Sequence, residues 1–239
     1  MAKKGFMISL MIIIGILILV LLFFAFAMRN QLVDLIKPKV SDVSGVQIYV
    51  EDCIDAVSQF AIYKMGIQGG SITLNPAHFS NSFLNVNYAF DGTKTFPALD
   101  AMRAEIESFV NNNLKNCTAE FRGFKSKGID IKEGNVSTSI IMGVKSLIIT
   151  VDYPIGITSG DKTFEIDKFQ RDVPIRLKGV HSETDGFLSG FSSRYNLTYL
   201  RNMNSNVYIL PYEDTDLFVE EAPDSRILGD NYLFLFAVR

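Results

Sequence analysis

The sequence predicts an α+β domain held behind a single transmembrane helix, and three observations lead there. Residues 6–28 are apolar almost without a break. Two later stretches, 46–65 and 97–121, repeat apolar residues every three or four positions, the period of a helix with one buried face. Others, most clearly 83–90 and 145–153, tend to alternate apolar and polar residues as a half-buried strand does. The expected order is transmembrane helix, helix, hairpin, long helix, four-strand antiparallel meander, then a helix and a three-strand C-terminal meander. The segments are a tail (1–5), a membrane helix (6–28), a stalk (29–45), an α+β unit (46–172) and a C-terminal helix-and-strand part (173–239) packed on the same unit.

Within 6–28, Ser9 is the only polar side chain and Gly15 the only weak helix former. A helix crosses the hydrocarbon core with about 20 residues, and lipid forces such a run to satisfy its own backbone. The lipid bilayer is therefore an expected partner through residues 6–28. The main reading is an uncleaved anchor. A cleaved secretory peptide is the second, since Ala25-Phe26-Ala27 offers a small-x-small site, but the apolar run is longer than a usual signal core. Lys3-Lys4-Gly5-Phe6 before a long apolar helix resembles the leader of type IV pilins, cut after the glycine. Leu10 stands where those proteins usually carry glutamate. Lys3 and Lys4 precede the run and Arg29, Lys37 and Lys39 follow it, so the charge bias nearly balances. Long domains translocate largely regardless of charge. The N-terminus is placed in the cytoplasm and the domain outside it, at the cell membrane.

Behind the anchor, roughly 210 residues with 15 of the chain's 19 Phe, all nine Tyr and no Trp supply ample core. A net charge of −3 argues against a nucleic-acid partner. Pro38 ends or kinks the stalk, and Ser41, Ser44 and Gly45 read as a hinge. In 46–65 the stripe is Val46, Val50, Cys53, Ile54, Val57, Phe60, Ala61 and Met65, with Gly66 as a cap and Gly69-Gly70 closing a turn. Strands follow at 71–74 and 83–90, with Leu84, Val86, Tyr88 and Phe90 inward and Asn85, Asn87 and Ala89 outward. Asp91-Gly92 turns the chain. Pro97 suits a first helical position, and Leu99, Met102, Ile106, Phe109, Val110, Leu114, Cys117 and Phe121 form the second stripe. The meander spans 128–169, with Ile140, Leu147, Ile149 and Val151 inward and turns at 133–135 and 156–161. A helix with such a meander is similar to cystatin-like folds, an analogy that carries no function. Helix is expected from Pro174, then strands at 207–211, 217–221 and 232–238. The last, Tyr-Leu-Phe-Leu-Phe-Ala-Val, is too apolar for an exposed edge and is expected inside a sheet.

The run Tyr49-Val50, Cys53-Ile54 and Lys64-Met65-Gly66-Ile67-Gln68-Gly69-Gly70 resembles a family of uncharacterised archaeal single-pass membrane proteins. These share a Tyr-Val-x-x-Cys helix entering a Gly-Gln-Gly-Gly turn. The resemblance implies topology and archaeal origin, and no site.

No catalytic constellation stands out. Cys53 and Cys117 lie on the stripes of two helices. If these pack antiparallel the sulfurs meet; the alternative is two buried thiols. An oxidising compartment favours the bridge. His78 and His181 are the only histidines, and neither sits in a nucleophile or metal motif. Glu213, Asp214, Asp216, Glu220 and Glu221 match no calcium loop and read as a solvated hairpin face. Of the sequons at Asn116, Asn135 and Asn196, Asn135 in a predicted turn is the best glycosylation acceptor. No catalytic residue, metal ligand or cofactor is predicted. The expected role is non-catalytic, interaction or structure at the cell envelope with a protein partner, and the alternatives are a pilin-like subunit and an envelope enzyme or small-ligand binder whose site forms only in the fold.

Overall fold

The computed structural model describes residues 43–159, 162–191 and 195–239. The tail, the anchor at 6–28 and the stalk up to residue 42 lie outside the described residues. Among the described residues no helix is long and apolar enough to cross a membrane. Residues 46–239 form one compact unit built of helices and two sheets.

Helix α1 (Val43–Ile67) starts before the expected position, so Ser44 and Gly45 are helical and not a hinge. It buries Val46, Val50, Cys53, Ile54, Ala61 and Met65 as the stripe predicts. Ile62 and Ser58 are buried as well, whereas Phe60 is 49% exposed. The Ser58 hydroxyl donates to the Ile54 carbonyl (2.6 Å), so its burial leaves no polar group unpaired. Gly66 is not the cap: it lies inside the last turn, where a Cβ would strike the Leu233 carbonyl. The cap conformation falls to Gly69 and Gly70, at φ +81° and +84°. A Cβ on Gly69 would stand 2.7 Å from the Asn87 carbonyl, so this turn packs directly on a strand.

Residues 71–74 are not a strand. The Ile72 N–H and the Ser71 hydroxyl both donate to the Glu105 carboxylate (2.6 and 2.8 Å), which removes that N–H from any ladder. The hairpin is instead β1 (His78–Ser80) with β2 (Asn85–Asp91), and β3 (Thr93–Lys94) returns on β2. The polar face of β2 is covered at Asn87 and Ala89, and Asn85 alone of the three stays exposed. Buried Asn87 accepts from the Asn75 N–H and donates to the Thr73 carbonyl.

Helix α2 (Leu99–Thr118) buries Met102, Ile106, Val110 and Leu114 and stops short of Phe121. Ala119, Glu120 and Phe121 all have positive φ (46°, 56° and 56°), and a four-residue helix, α3 (Arg122–Lys125), follows. Phe121 and Phe124 then lie against Tyr49 of α1, whose hydroxyl donates to the Cys117 carbonyl (3.2 Å). A Cys53–Cys117 disulfide joins α1 to α2, with Cα atoms 5.7 Å apart.

The four strands that follow are not a meander. They are β4 (Asp130–Glu133), β5 (Ser137–Met142), β6 (Leu147–Ser159) and β7 (Lys162–Val173). Both β4 and β5 pair with β6, end to end along one side, and β7 pairs along the other. This works because β6 runs straight through Gly156, where a turn was expected, and keeps every second residue from Leu147 to Ile157 buried. Pro154 sits where the β6–β7 register shifts, a place that tolerates a missing N–H. Its carbonyl accepts from the Gly134 N–H (2.7 Å) and holds the β4–β5 turn. Arg171 of β7 pairs with Asp55 and Glu51 of α1, and Glu107 of α2 accepts from the Ile140 N–H of β5 (2.8 Å).

Next come α4 (Leu177–Ser189), α5 (Leu197–Arg201), β8 (Asn206–Pro211), β9 (Asp216–Ile227) and β10 (Asp230–Val238). The last three form the expected antiparallel meander. β10 also runs parallel to β2, through Ala237 opposite Tyr88 and Val238 opposite Phe90. One sheet therefore reads β1-β2-β10-β9-β8, with β3 on β2, and β10 is interior as its apolarity demands. One face carries Phe218 and Phe236 against Phe187 of α4; the other carries Val86, Tyr88, Leu217, Leu235 and Ala237 under Phe79.

Two outcomes follow for stability. Replacing Cys53 and Cys117 by Ala frees a loop of 64 positions, which costs about 4 kcal/mol by the chain-entropy argument, or roughly 8–16 °C in melting temperature. Calorimetry with and without reductant reads it. Glu120→Gly relieves an exposed non-glycine residue of its left-handed conformation and should raise stability by about 1 kcal/mol in urea titrations.

Candidate functional site

The polar residues that come together are ones the sequence pattern did not single out. Arg176, the residue before α4, is 7% exposed. Its guanidinium makes a two-pronged contact with Glu183 of α4 (3.0 and 3.3 Å), reaches Asp224 of β9 (2.9 Å) and donates to the Ser205 hydroxyl. Its N–H donates to the Ser225 hydroxyl (3.1 Å). Gly179 makes room: a Cβ there would stand 3.0 Å from Nη1.

Glu220 lies deeper. The sequence places it in a solvated acidic face; the structure buries it completely, because its β9 register turns it toward α4 while its neighbours Val219 and Glu221 face the other way. Ser205 and Thr184 donate to its two oxygens (2.7 and 2.9 Å). Burial pushes its pKa up to about 8, and a hydrogen bond shared with Glu183 acts in the same direction. For Glu183, burial opposes the charge, but hydrogen bonds from Arg176 and Asn204 outweigh it and its pKa is lowered. Of the two carboxyls, burial favours the protonated form of Glu220, while Arg176 favours the charged form of Glu183. The Tyr232 hydroxyl is buried without a hydrogen-bond partner; burial, and then the nearby Glu220, raise its pKa.

Ser205 carries this network to the surface. It also lines a cleft of about 330 Å³ between α5 and β8, with Leu197, Leu200, Arg201, Asn206, Val207 and Ile209. Apolar side chains dominate its walls. Tyr199 of α5 packs against Gly186 of α4, where no Cβ fits. The network thus fixes the turn from which β8 departs, while its carboxylates stay beneath the cleft.

β8 differs from the other sheet edges. β7 carries six charged residues in twelve positions. β5 has its outward Ile140 N–H covered by Glu107, and β1 and β3 are only three and two residues long. β8, Asn-Val-Tyr-Ile-Leu-Pro, has six residues and no charge. Among the described residues its backbone pairs with β9 alone. Tyr208 and Leu210 on one face are 52% and 44% exposed, and Leu197 beside the cleft is 57% exposed.

The predicted residues fall elsewhere. Cys53 and Cys117 are brought together, in the disulfide. Asn135 is exposed in the β4–β5 turn. His78 and His181 are separately engaged, with the Asn75 and Pro97 carbonyls. Among the described residues no group of three or more His, Cys, Asp or Glu side chains is arranged to hold a metal ion. No protein-family model, curated protein or solved structure matches the chain.

Glu220 gives a pH signature with a definite sign. In the unfolded chain it ionises near 4.5; in the folded protein it keeps its proton to about pH 8. Between those values the folded state binds more protons, so stability falls as pH rises, by up to about 1.4 kcal/mol per unit. Glu183 acts oppositely: its contribution is present above its unfolded pKa and is lost only as pH falls through its lowered folded value. Denaturation midpoints measured from about pH 5 to 8 should decline in the native protein. Glu220→Gln, which keeps the shape without the titration, should flatten that decline.

Proposed function

We propose that this chain is a membrane-anchored domain that faces outside the cytoplasm and works by binding other protein surfaces rather than by catalysis. One observation carries the reading: the surface beside the buried polar network is an uncharged sheet edge with an apolar cleft, and not a deep pocket with converging polar groups. The acid–base groups that a reaction would need are underneath, and Glu220 is fully buried. The disulfide between α1 and α2 supports the oxidising side of the membrane. The apolar run at 6–28 supports the anchor.

A membrane-impermeant amine reagent applied to intact cells should modify exposed lysines such as Lys115 and Lys125. Cys53 and Cys117 should resist alkylation until reductant is added. Labelling only after lysis, or free thiols, would overturn the placement. The intact mass of the membrane-extracted protein decides the leader: a start at Met1 fits the anchor, and a start at Phe6 fits the pilin-like alternative.

A further inference from the structure

We propose that the partner of the β8 edge is a second copy of this chain, and that two β8 strands pair antiparallel across a two-fold axis to join two six-stranded sheets. The inference rests on the interaction role given above and names the surface and the occupant.

The argument begins with what the edge lacks. Natural edge strands are guarded by charge, shortness or a cover, because bare N–H and C=O groups template pairing with another strand. β7 is guarded by charge and β5 by a helix carboxylate, whereas β8 is guarded by neither. Pro211, its one blunting residue, stands at its last position. The strand between Asn206 and Pro211 carries no charge, so no antiparallel register of β8 against itself sets like charges across the pair.

The ends of the strand select the second copy. Arg201, exposed at the rim of the cleft, precedes β8 and has no ion pair among the described residues. Glu213, exposed just beyond β8, has none either. Antiparallel pairing sets the Pro211 end of one strand beside the Asn206 end of the other. Each copy's Glu213 then approaches the other's Arg201, twice by symmetry. A parallel arrangement would instead bring like ends together.

The faces agree. Directly opposed residues of an antiparallel pair lie on the same face of the sheet. The two-fold axis is therefore perpendicular to the sheet, and each face of one copy continues into the same face of the other. Tyr208 and Leu210 of both copies meet on one face. The two α5 helices, each with its exposed Leu197, flank the junction on the other. The Tyr208 hydroxyl donates to Glu221 (3.2 Å), and the apolar parts of these side chains around β8 are otherwise left in water.

The test uses the full-length protein in detergent, by sedimentation velocity from about 1 to about 100 µM. A dimer is expected. Tyr208→Asp, at an exposed position in the middle of the edge, should weaken association roughly tenfold or more, since the new carboxylate adds to that of neighbouring Glu221 and sets like charges at the junction. Arg201→Glu and Glu213→Arg should each weaken it, and the double variant should restore it. A native protein that stays monomeric throughout overturns the inference. So does a dimer indifferent to Tyr208→Asp and Arg201→Glu, which would place self-association elsewhere, and so does a double variant no better than either single. Labelling of intact cells reads the anchored, outward-facing role independently, so either idea can fail alone.

Discussion

An apolar strand with large side chains on both faces must be covered on both faces, and β10 sets that condition for this protein. Phe236 needs aromatic neighbours on one side and Leu235 aliphatic ones on the other. The first requirement draws α4 onto the sheet through Phe187 and brings the end of α1 so close that only glycine fits at position 66. The second is met on the opposite face, where Phe79 of β1, the edge strand beside β2, closes a smaller cluster. The backbone of β10 meets the same demand sideways, with β9 along one edge and β2 along the other. Arg239 continues the tie, accepting from the Gly92 N–H and pairing with Asp91.

Against this apolar frame, Arg176, Glu183 and Glu220 form a polar knot that stabilises by arrangement more than by attraction. Burying charge is expensive, and replacing such groups by apolar ones is often neutral or better. What the knot supplies is position. Five separate pieces of backbone, the start of α4, its middle, the turn before β8 and two places on β9, converge on one guanidinium and one buried carboxyl. An edge strand leaving from Ser205 is thereby presented in one place. A preorganised edge loses less conformational entropy on pairing than a mobile one.

The helices, their buried stripes, the disulfide partners and the interior position of β10 were legible because each depends on local periodicity or on the bulk of a short run. What escaped depends on distant contacts. The 71–74 segment has strand composition, but Glu105, thirty-odd residues away, takes its N–H. The turn expected at Gly156 is overridden because β6 has continuous partners on both sides. Glu220 looked solvated among Glu213, Asp214 and Glu221; the only local hint was strand alternation, which puts it on the face opposite Glu221. Arg176 gave no signal at all, since nothing near it in sequence shows that Asp224 and Ser205 will arrive beside it.

The parallel pairing of β10 with β2 also bears on the order of events in time. Tyr88 and Ala237 lie about 150 residues apart, and contacts of such separation form late and slowly because the loop between them must be closed first. A chain emerging from its N-terminus can make α1, the β1–β2 hairpin and α2, and can oxidise Cys53 with Cys117, while β2 still lacks its inner neighbour. The six-stranded sheet cannot be complete until the final nine-residue strand lies between β2 and β9. Until that moment Val86 and Tyr88 have no Ala237 or Leu235 beside them. A chain stopped short of residue 230 therefore leaves that apolar face of the sheet open to other strands.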